Sequence, residues 1–262
     1  MRTPRIYYPD HLSPDLTVTL DEPTANHLVR VLRLHPGAPI VLFNGRGGEF
    51  HGVLTAAARR AVTVRLSHHV PREVESPLHI TLGQCIVRGT RMDLIVQKAV
   101  ELGVSAIVPV ISERCEVRLR GERQENRLQH WEGICINACE QCGRNRLPKV
   151  QPPQAIDAWL NQAEKTATDE TLGIVLDAAA QPDLTAIPRP GHGARITVLS
   201  GPEGGLTDGE LALAVHCGLV AVNLGPRILR AETAPLSAIA ALQTLWGDFC
   251  DSGTKKTGRD AG

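Results

Sequence analysis

Three apolar runs late in the chain, "TLGIVLDAA", "ARITVLSG" and "LVAVNLG", do most to limit how it can fold. Each has the length of a strand and little polar alternation, the pattern of strands buried on both faces. Two similar runs, "LHITLGQCIV" and "SAIVPVIS", come earlier. Segments of helical period separate several of these runs: "TRMDLIVQKAVELGV", "ENRLQHWEGICINACEQCG" and "TDGELALAVHCG", with "APLSAIAALQTLWGDF" closing the series. Strand and helix in alternation predict an α/β domain built on a parallel sheet. Thr207 stands three residues before Glu210, a capping-box pattern, and Gly218 marks that helix's end.

The first seventy residues read differently. "RIYY", "DLTVTL", "PIVLF", "EFHGVLTA" and "AVTVRLSHHV" are short β-rich runs, and "NGRGG" is a hairpin connection. One helix, "PTANHLVRVLRL", interrupts them, with Leu28, Val31 and Leu32 on its apolar face. This predicts a small β-barrel with one helix. "PREVESPLH" is polar, proline-flanked and unpatterned, so the boundary falls there. The expected division is 1–72, 73–250 and a polar tail, 251–262.

Two domains also suit the length of 262 residues, and a hydrophobic content of 42% is enough for two cores. No apolar run reaches the length of a membrane span, and "MRTPRIYYPD" lacks a signal-peptide core. Seven cysteines, an odd number, fit reduced thiols. The expectation is a cytoplasmic protein with no membrane association. Net charge is zero but unevenly spread. Residues 1–72 hold nine Arg against five Asp/Glu, +4, and the remainder is −4. A basic end on a neutral chain suits a polyanion partner or an ordinary solvated surface.

Two of the apolar runs end in glycine-proline turns, "VLSGPEGGLTDGE" and "VNLGPRILRAET". Ligands of open α/β sheets sit beyond the carboxyl ends of strands, and glycine there lets backbone approach a ligand. "GPEGG" has neither G-x-G-x-x-G spacing nor the Lys-Ser/Thr of a phosphate loop, and Glu203 would repel a triphosphate. A neutral or cationic ligand fits better. The second loop places Arg227, Arg230 and Glu232 between a buried strand and a buried helix, more charge than a turn requires. "ACEQCGRNRLPKV" is a second candidate site. Gln141, Arg144, Asn145 and Arg146 follow a helix ended by Gly143, where donors suit phosphates and base edges or simply a solvated helix terminus. Lys98 and Glu101, one turn apart in "QKAVELGV", read as a structural pair.

Cys135, Cys139 and Cys142 spell C-x-x-x-C-x-x-C, the spacing of radical enzymes that hold an iron–sulfur cluster. On a helix, three such residues spread about 10 Å along the axis at about 1.5 Å per residue, too far to converge. No glycine opens a loop between them, so buried thiols are expected. The histidines show no H-E-x-x-H or comparable spacing. No metal is expected.

Taken together, "VLSGPEGGLTDGE", "LGPRILRAETAPLSAIAALQ", "LIVQKAVELGVSAIVPVISERC" and "ACEQCGRNR" closely resemble the 16S ribosomal RNA uracil-N3 methyltransferase family, of the SPOUT class. The resemblance runs from "PRIYYP" to "LQTLWGD". It implies an N-terminal PUA-like β-barrel, a C-terminal SPOUT α/β domain with a deep trefoil knot, S-adenosylmethionine as methyl donor, and a homodimer. The implied partner is 16S rRNA of the small ribosomal subunit. The resemblance carries the donor site onto Leu199, Ser200, Gly201, Glu203, Gly204, Leu224, Gly225, Ile228, Leu229 and Thr233. Arg230 is then expected to stabilise negative charge on the uracil, and Glu232 to accept its proton or orient Arg230. Alternatively, Arg230 and Glu232 pair and tie the loop down. Asn145 joins them as a catalytic candidate, because its segment lies near the family's active site. Arg5, Arg30, Arg33, Arg46, Arg88, Arg144 and Arg146 are the expected RNA contacts. Ala231 departs from the family's usual Thr, "LRAETA" for "LRTETA". Ribose 2′-O methylation and a non-catalytic role in ribosome assembly are the rival readings.

Overall fold

The computed structural model describes residues 3–58, 61–117, 121–165, 170–191 and 193–250. The tail expected from Asp251 and three of the counted arginines, Arg2, Arg59 and Arg60, lie outside them. The chain forms two compact units. One comprises Met1–Glu75 with Cys135–Leu147, the other Ser76–Ile134 with Pro148–Gly262.

In the first unit, β1 (Arg5–Tyr7), β2 (Thr17–Leu20), β3 (Pro39–Phe43), β4 (Glu49–Ala57) and β5 (Val62–Val70) form a sheet of order β1-β3-β4-β5-β2. β1 pairs with β3 in parallel and the other pairs are antiparallel. The expected barrel is therefore an open half-barrel, with β1 and β2 as unjoined edges. Its core gathers Ile6, Val18, Leu28, Leu42, Leu54 and Val64. The expected single helix is instead α1 (Glu22–Asn26) running into a π-helical turn, His27–Val31. Asp21 caps it by accepting from Thr24 N at 3.0 Å. The wider π turn breaks the 3.6-residue period, so only Leu28 of the expected apolar trio is buried. Val31 and Leu32 are exposed, and Arg33 ends the turn at φ 54°.

The second unit is the expected parallel α/β domain. Its elements are β6 (His79–Cys85), α2 (Thr90–Glu101), β7 (Ala106–Ile111), α3 (Glu122–Cys142), whose last residues, from Cys135, fall in the first unit, β8 (Lys149–Val150), β9 (Gln154–Ala155), α4 (Ile156–Lys165), β10 (Thr171–Leu176), β11 (Arg195–Ser200), α5 (Asp208–His216), β12 (Leu219–Val222) and α6 (Thr233–Leu245). The strand order is β12-β10-β11-β6-β7-β8, with β9 also on β7, and every pair is parallel. The apolar runs are buried as their composition requires, with Ile174, Val175, Ile196, Val198 and Leu199 fully enclosed. The capping box at Thr207 and Glu210 is present. Glu210 does more than cap, because its other oxygen accepts Glu113 N at 2.8 Å. Lys98 and Glu101 pair at 2.8 Å. α6 packs on α2 and against β6 and β11. Among the described residues no helix is long and apolar enough to cross a membrane.

Candidate active site

Because β10, β11 and β12 run in parallel, their carboxyl ends share one edge of the sheet. A cleft of about 540 Å³ opens there between two loops. Leu176 and Asp177, at the end of β10, form part of its wall. The first loop follows β11 and runs from Gly201 to Leu206. Gly205, at φ 69°, closes its turn by donating to Pro202 O at 2.9 Å. Three side chains anchor this loop. Arg114 Nη1 donates to Gly204 O at 2.9 Å and to Leu206 O at 3.2 Å. Gln84 Nε2 reaches Gly201 O at 3.5 Å. Arg91 Nη1 donates to Glu203 Oε1 at 3.1 Å, which also accepts Arg88 N at 3.0 Å. Burial works to raise the Glu203 carboxyl. The N–H groups of Arg88 and Glu203 and the Arg91 guanidinium outweigh it and hold the carboxyl below its ordinary value.

The second loop follows β12. Asn223 stitches it to the segment after β10, donating through Nδ2 to Ala180 O at 2.8 Å and Gln181 O at 3.2 Å. Asn223 Oδ1 accepts Gly225 N at 2.9 Å, and Gly225 turns the chain at φ 90°. The Arg230 carbonyl accepts Thr233 N at 2.8 Å and Ala234 N at 3.0 Å, starting α6. Arg227, Ile228, Leu229, Arg230 and Glu232 all line the cleft, and Ile228 is 90% exposed at its mouth. Among the described residues, the side chains of Arg227, Arg230 and Glu232 have no hydrogen bond or ion pair. Arg230 and Glu232 are not tied to one another.

Of the expected donor-site residues, Ser200, Gly201, Glu203, Leu224, Gly225, Ile228 and Leu229 line this cleft. Leu199 is fully buried in the core of the same unit, and Gly204 faces the Arg114 side chain. Thr233 lines a neighbouring apolar groove instead, with Leu94, Leu102 and Leu236.

The second candidate segment is placed otherwise. Asn145 is fully buried in the first unit. Its Oδ1 accepts Arg5 Nη2 at 2.5 Å and its Nδ2 donates to Arg72 O at 2.6 Å. Arg5 pairs with Glu49, and Arg144, 4% exposed, grips Glu75 through Nη2 and Nε at 2.5 and 3.0 Å. Burial alone would raise Glu49. Hydrogen bonds from Arg5 and His51, with the charges of Arg5 and Arg72, bring it below its ordinary value. The expectation that Arg5, Arg144 and Asn145 contact RNA or reactants is corrected here. A buried charge persists only when paired, and these donors are spent on Glu49, Glu75 and backbone carbonyls. Arg30, Arg33 and Arg46 are exposed. Arg146 is exposed with Glu73 at 3.8 Å, and exposed Arg88 pairs with Glu116. Cys135, Cys139 and Cys142 lie on uninterrupted α3, and burial pushes the Cys139 thiol up to about 12. Such a thiol is a poor thiolate ligand.

Sequence reasoning missed Arg91, Arg114, Gln84, Asp177 and the stitching role of Asn223. One signal could have found several of them. They follow or end strands β6, β7, β10 and β12, on the edge of the sheet where ligands bind.

Two family models match the chain. Residues 74–243 match an RNA methyltransferase domain and residues 20–67 an RNA methyltransferase PUA domain. Parallel sheet, looped cleft and PUA-type unit together define the class, a two-domain RNA methyltransferase. A Buchnera aphidicola (subsp. Schizaphis graminum) protein named ribosomal RNA small subunit methyltransferase E is 33% identical over 95% of this chain and 98% of its own length. One of the same name from Synechocystis is 35% identical over 88% of this chain and 74% of its own. The crystal structure of a ribosomal RNA small subunit methyltransferase E from Neisseria gonorrhoeae bound to S-adenosyl methionine is 44% identical. It superposes with a TM-score of 0.87, covering 95% of this chain and all of that one. The chain belongs to the ribosomal RNA small subunit methyltransferase E family.

Proposed function

We propose that this protein transfers a methyl group from S-adenosylmethionine to N3 of a uridine in 16S rRNA. The observation that carries the reading is the cleft. It lies at the carboxyl edge of three parallel strands, between two glycine-bearing loops, with Arg230 and Glu232 on its wall and uncommitted. Its chemistry fits the donor. A volume of about 540 Å³ lies within the usual range for small-molecule sites. Leu176, Leu224 and Leu229 offer an apolar wall for a base, and Gly201 and Gly225 edge it without side chains. Asp177, Glu203 and Glu232 suit a ligand with cationic centres, while Arg91 and Arg227 suit its carboxylate. Bound there, the donor supplies an electrophilic methyl group.

The protein's own part is to orient and to manage charge. Uracil N3–H is a weak acid, so the base must shed a proton and spread negative charge onto its oxygens as it reacts. The Arg230 guanidinium, unengaged on the cleft wall, is placed to stabilise that charge. Glu232 accepts or relays the proton, or orients Arg230. N3 is occupied in base pairing, so the uridine is taken unpaired or flipped. Exposed Arg30, Arg33 and Arg46 supply affinity for phosphates without reading sequence.

The knot and homodimer implied by the family resemblance belong to this proposal, as does a cytoplasmic location with the ribosome. α6 leaves the cleft directly and tucks onto α2, β6 and β11, where a knotted C-terminus would lodge. The shallow groove of Leu94, Leu102 and Leu236 suits a second copy, and Glu232 lines both groove and cleft. Sedimentation equilibrium reads the dimer. The test of function is nucleoside digestion and mass spectrometry of 16S rRNA from cells with and without the protein. N3-methyluridine should vanish in its absence. Unchanged N3-methyluridine, or loss of a ribose-methylated nucleoside instead, refutes the assignment.

A further inference from the structure

Behind the first cleft loop lie two thiols that the methyl-transfer reading does not use. Cys85 ends β6, fully buried, and its strand partner is Val110 of β7. Cys115 follows β7 on a turn closed by Cys115 N to Ser112 O at 3.1 Å, and its side chain folds back onto the same place. Cys115 Sγ lies 3.7 Å from Val110 O, 3.4 Å from Ser112 N and 3.2 Å from Ser112 Oγ. It packs on the core that contains Cys85, beside the carbonyl of Cys85's own strand partner, Val110. The thiols differ in access, because Cys85 is sealed whereas Cys115 is half-buried.

They also differ in acidity. The neighbouring Cys85 thiol is the first cause that lowers Cys115, to about 6. Burial opposes this, and the Ser112 hydroxyl and N–H add to it. Cys115, then burial, pushes Cys85 well above its ordinary value. The pair thus sets one accessible, acidified thiol beside one buried thiol held protonated, the division of labour that thiol oxidation requires.

Each cysteine adjoins a residue that anchors the loop. Gln84, next to Cys85, reaches Gly201 O, and Arg114, next to Cys115, holds Gly204 O and Leu206 O. Glu113 on the same turn is held by Glu210 of α5. A covalent bond between the two sulfurs would move the turn that carries Arg114 relative to the loop it grips.

We propose that Cys85 and Cys115 form a peroxide-sensitive dithiol, whose oxidation to a disulfide loosens the Gly201–Leu206 loop and weakens donor binding. The Cys115 thiolate attacks one peroxide oxygen. The O–O bond breaks, the departing hydroxide takes a proton, and Cys115 becomes a sulfenic acid. Cys85 sulfur then attacks Cys115 sulfur, the S–O bond breaks, and the Cys85 proton leaves with the hydroxide as water. In sum, two thiols and one peroxide yield one disulfide and two waters, with sulfur oxidised and peroxide reduced. Transient disulfides of this kind are the sort found in reducing compartments.

The redox part stands on its own; the effect on the donor rests on the proposed function. The experiment treats the reduced full-length protein with hydrogen peroxide, maps thiols by differential alkylation, and measures S-adenosylmethionine affinity by calorimetry. The expected result is a Cys85–Cys115 linked peptide, reversed by dithiothreitol, with Kd raised about tenfold, the equivalent of one or two lost hydrogen bonds. Cys85→Ser should stop at a Cys115 sulfenic acid that dimedone labels, and Cys115→Ser should give neither product. Peroxide that oxidises exposed Cys250 yet leaves Cys85 and Cys115 as thiols overturns the proposal, as does a linked pair with unchanged affinity. Reduced protein that binds no S-adenosylmethionine overturns the methyltransferase reading instead, and leaves the linked peptide as the test of the dithiol.

Discussion

Arg114 offers the sharpest test of how the donor cleft is kept in shape. Its guanidinium is not itself part of the cleft wall. It grips the first loop from outside, at Gly204 O (2.9 Å) and Leu206 O (3.2 Å). Without it the loop retains the Gly205–Pro202 turn, the Glu203 contacts with Arg88 and Arg91, and a long bond from Gln84. Two hydrogen bonds from a charged donor would be worth about 3 kcal/mol if buried, but Arg114 is exposed and water replaces it cheaply. The net loss is about 1–2 kcal/mol. If the loop binds the donor only in its gripped form, that loss appears in affinity, and Arg114→Ala should raise the S-adenosylmethionine Kd roughly 5- to 30-fold. Arg114→Lys should fall between, because Nη1 alone makes both bonds and a flexible lysine stem loses more freedom than the pre-organised guanidinium in holding one nitrogen there. Calorimetry reads the affinity, and circular dichroism confirms that the variant is folded. A folded Arg114→Ala protein with unchanged Kd would refute the reasoning, for the loop would then hold itself.

Arg230→Ala should lower kcat about 10²- to 10³-fold with little change in donor Kd, measured by single-turnover methylation and calorimetry; equal loss in both would make Arg230 structural. Asn145→Ala should destabilise the first unit by about 2–3 kcal/mol, because it strands Arg5 and the Arg72 carbonyl, and lower Tm by roughly 5–10 °C. By contrast, Arg30→Glu with Arg33→Glu should leave Tm alone while weakening RNA binding and flattening its salt dependence. For acid stability, Glu49 lies below the ordinary glutamate value of 4.5, so its contribution is fully present above that pH and is lost as pH falls through the folded value. Glu140, raised by burial, has the opposite sign: its contribution is present below 4.5 and is lost as pH rises through its folded value. Glu49→Gln should therefore start less stable at neutral pH and lose less on acidification, read as Tm against pH.

What was legible in the sequence is what local chemistry determines. The apolar runs became β10, β11 and β12 because a strand covered on both faces has no use for polar alternation. Thr207 and Glu210 capped α5 because both halves of that box lie within one turn. Local patterns failed where distant parts of the chain decide the outcome. Val31 and Leu32 read as apolar face, but a π turn rotated them into solvent. Asn145 and Arg144 read as exposed donors at a helix end. The chain returns Cys135–Leu147 to the first unit, where Glu49 and Glu75, more than sixty residues earlier, claim them. Arg91 and Arg114 carried no motif at all, because their purpose is visible only when β6 and β7 end beside the Gly201–Leu206 loop.

The arginines make a general argument possible. A guanidinium is costly to bury and cannot shed its charge, so its surroundings reveal what it is for. Arg5 and Arg144 are buried and paired with carboxylates, and they hold one unit together. Arg91 and Arg114 are more exposed but bonded to the donor loop, and they set its shape. Arg227 and Arg230 line a cleft with side chains that no described residue engages, and Arg30 and Arg33 stand on the surface in the same state. A cation in the last condition contributes little to folding, because nothing in the fold is lost when it goes. Such cations are suited to charge that arrives from outside, phosphate at Arg30 and Arg33 and an ionising base at Arg230. Sequence alone assigned all of these residues to function by their type. Their partners divide them, and only the unengaged ones remain candidates for contact with RNA or with the reacting uracil.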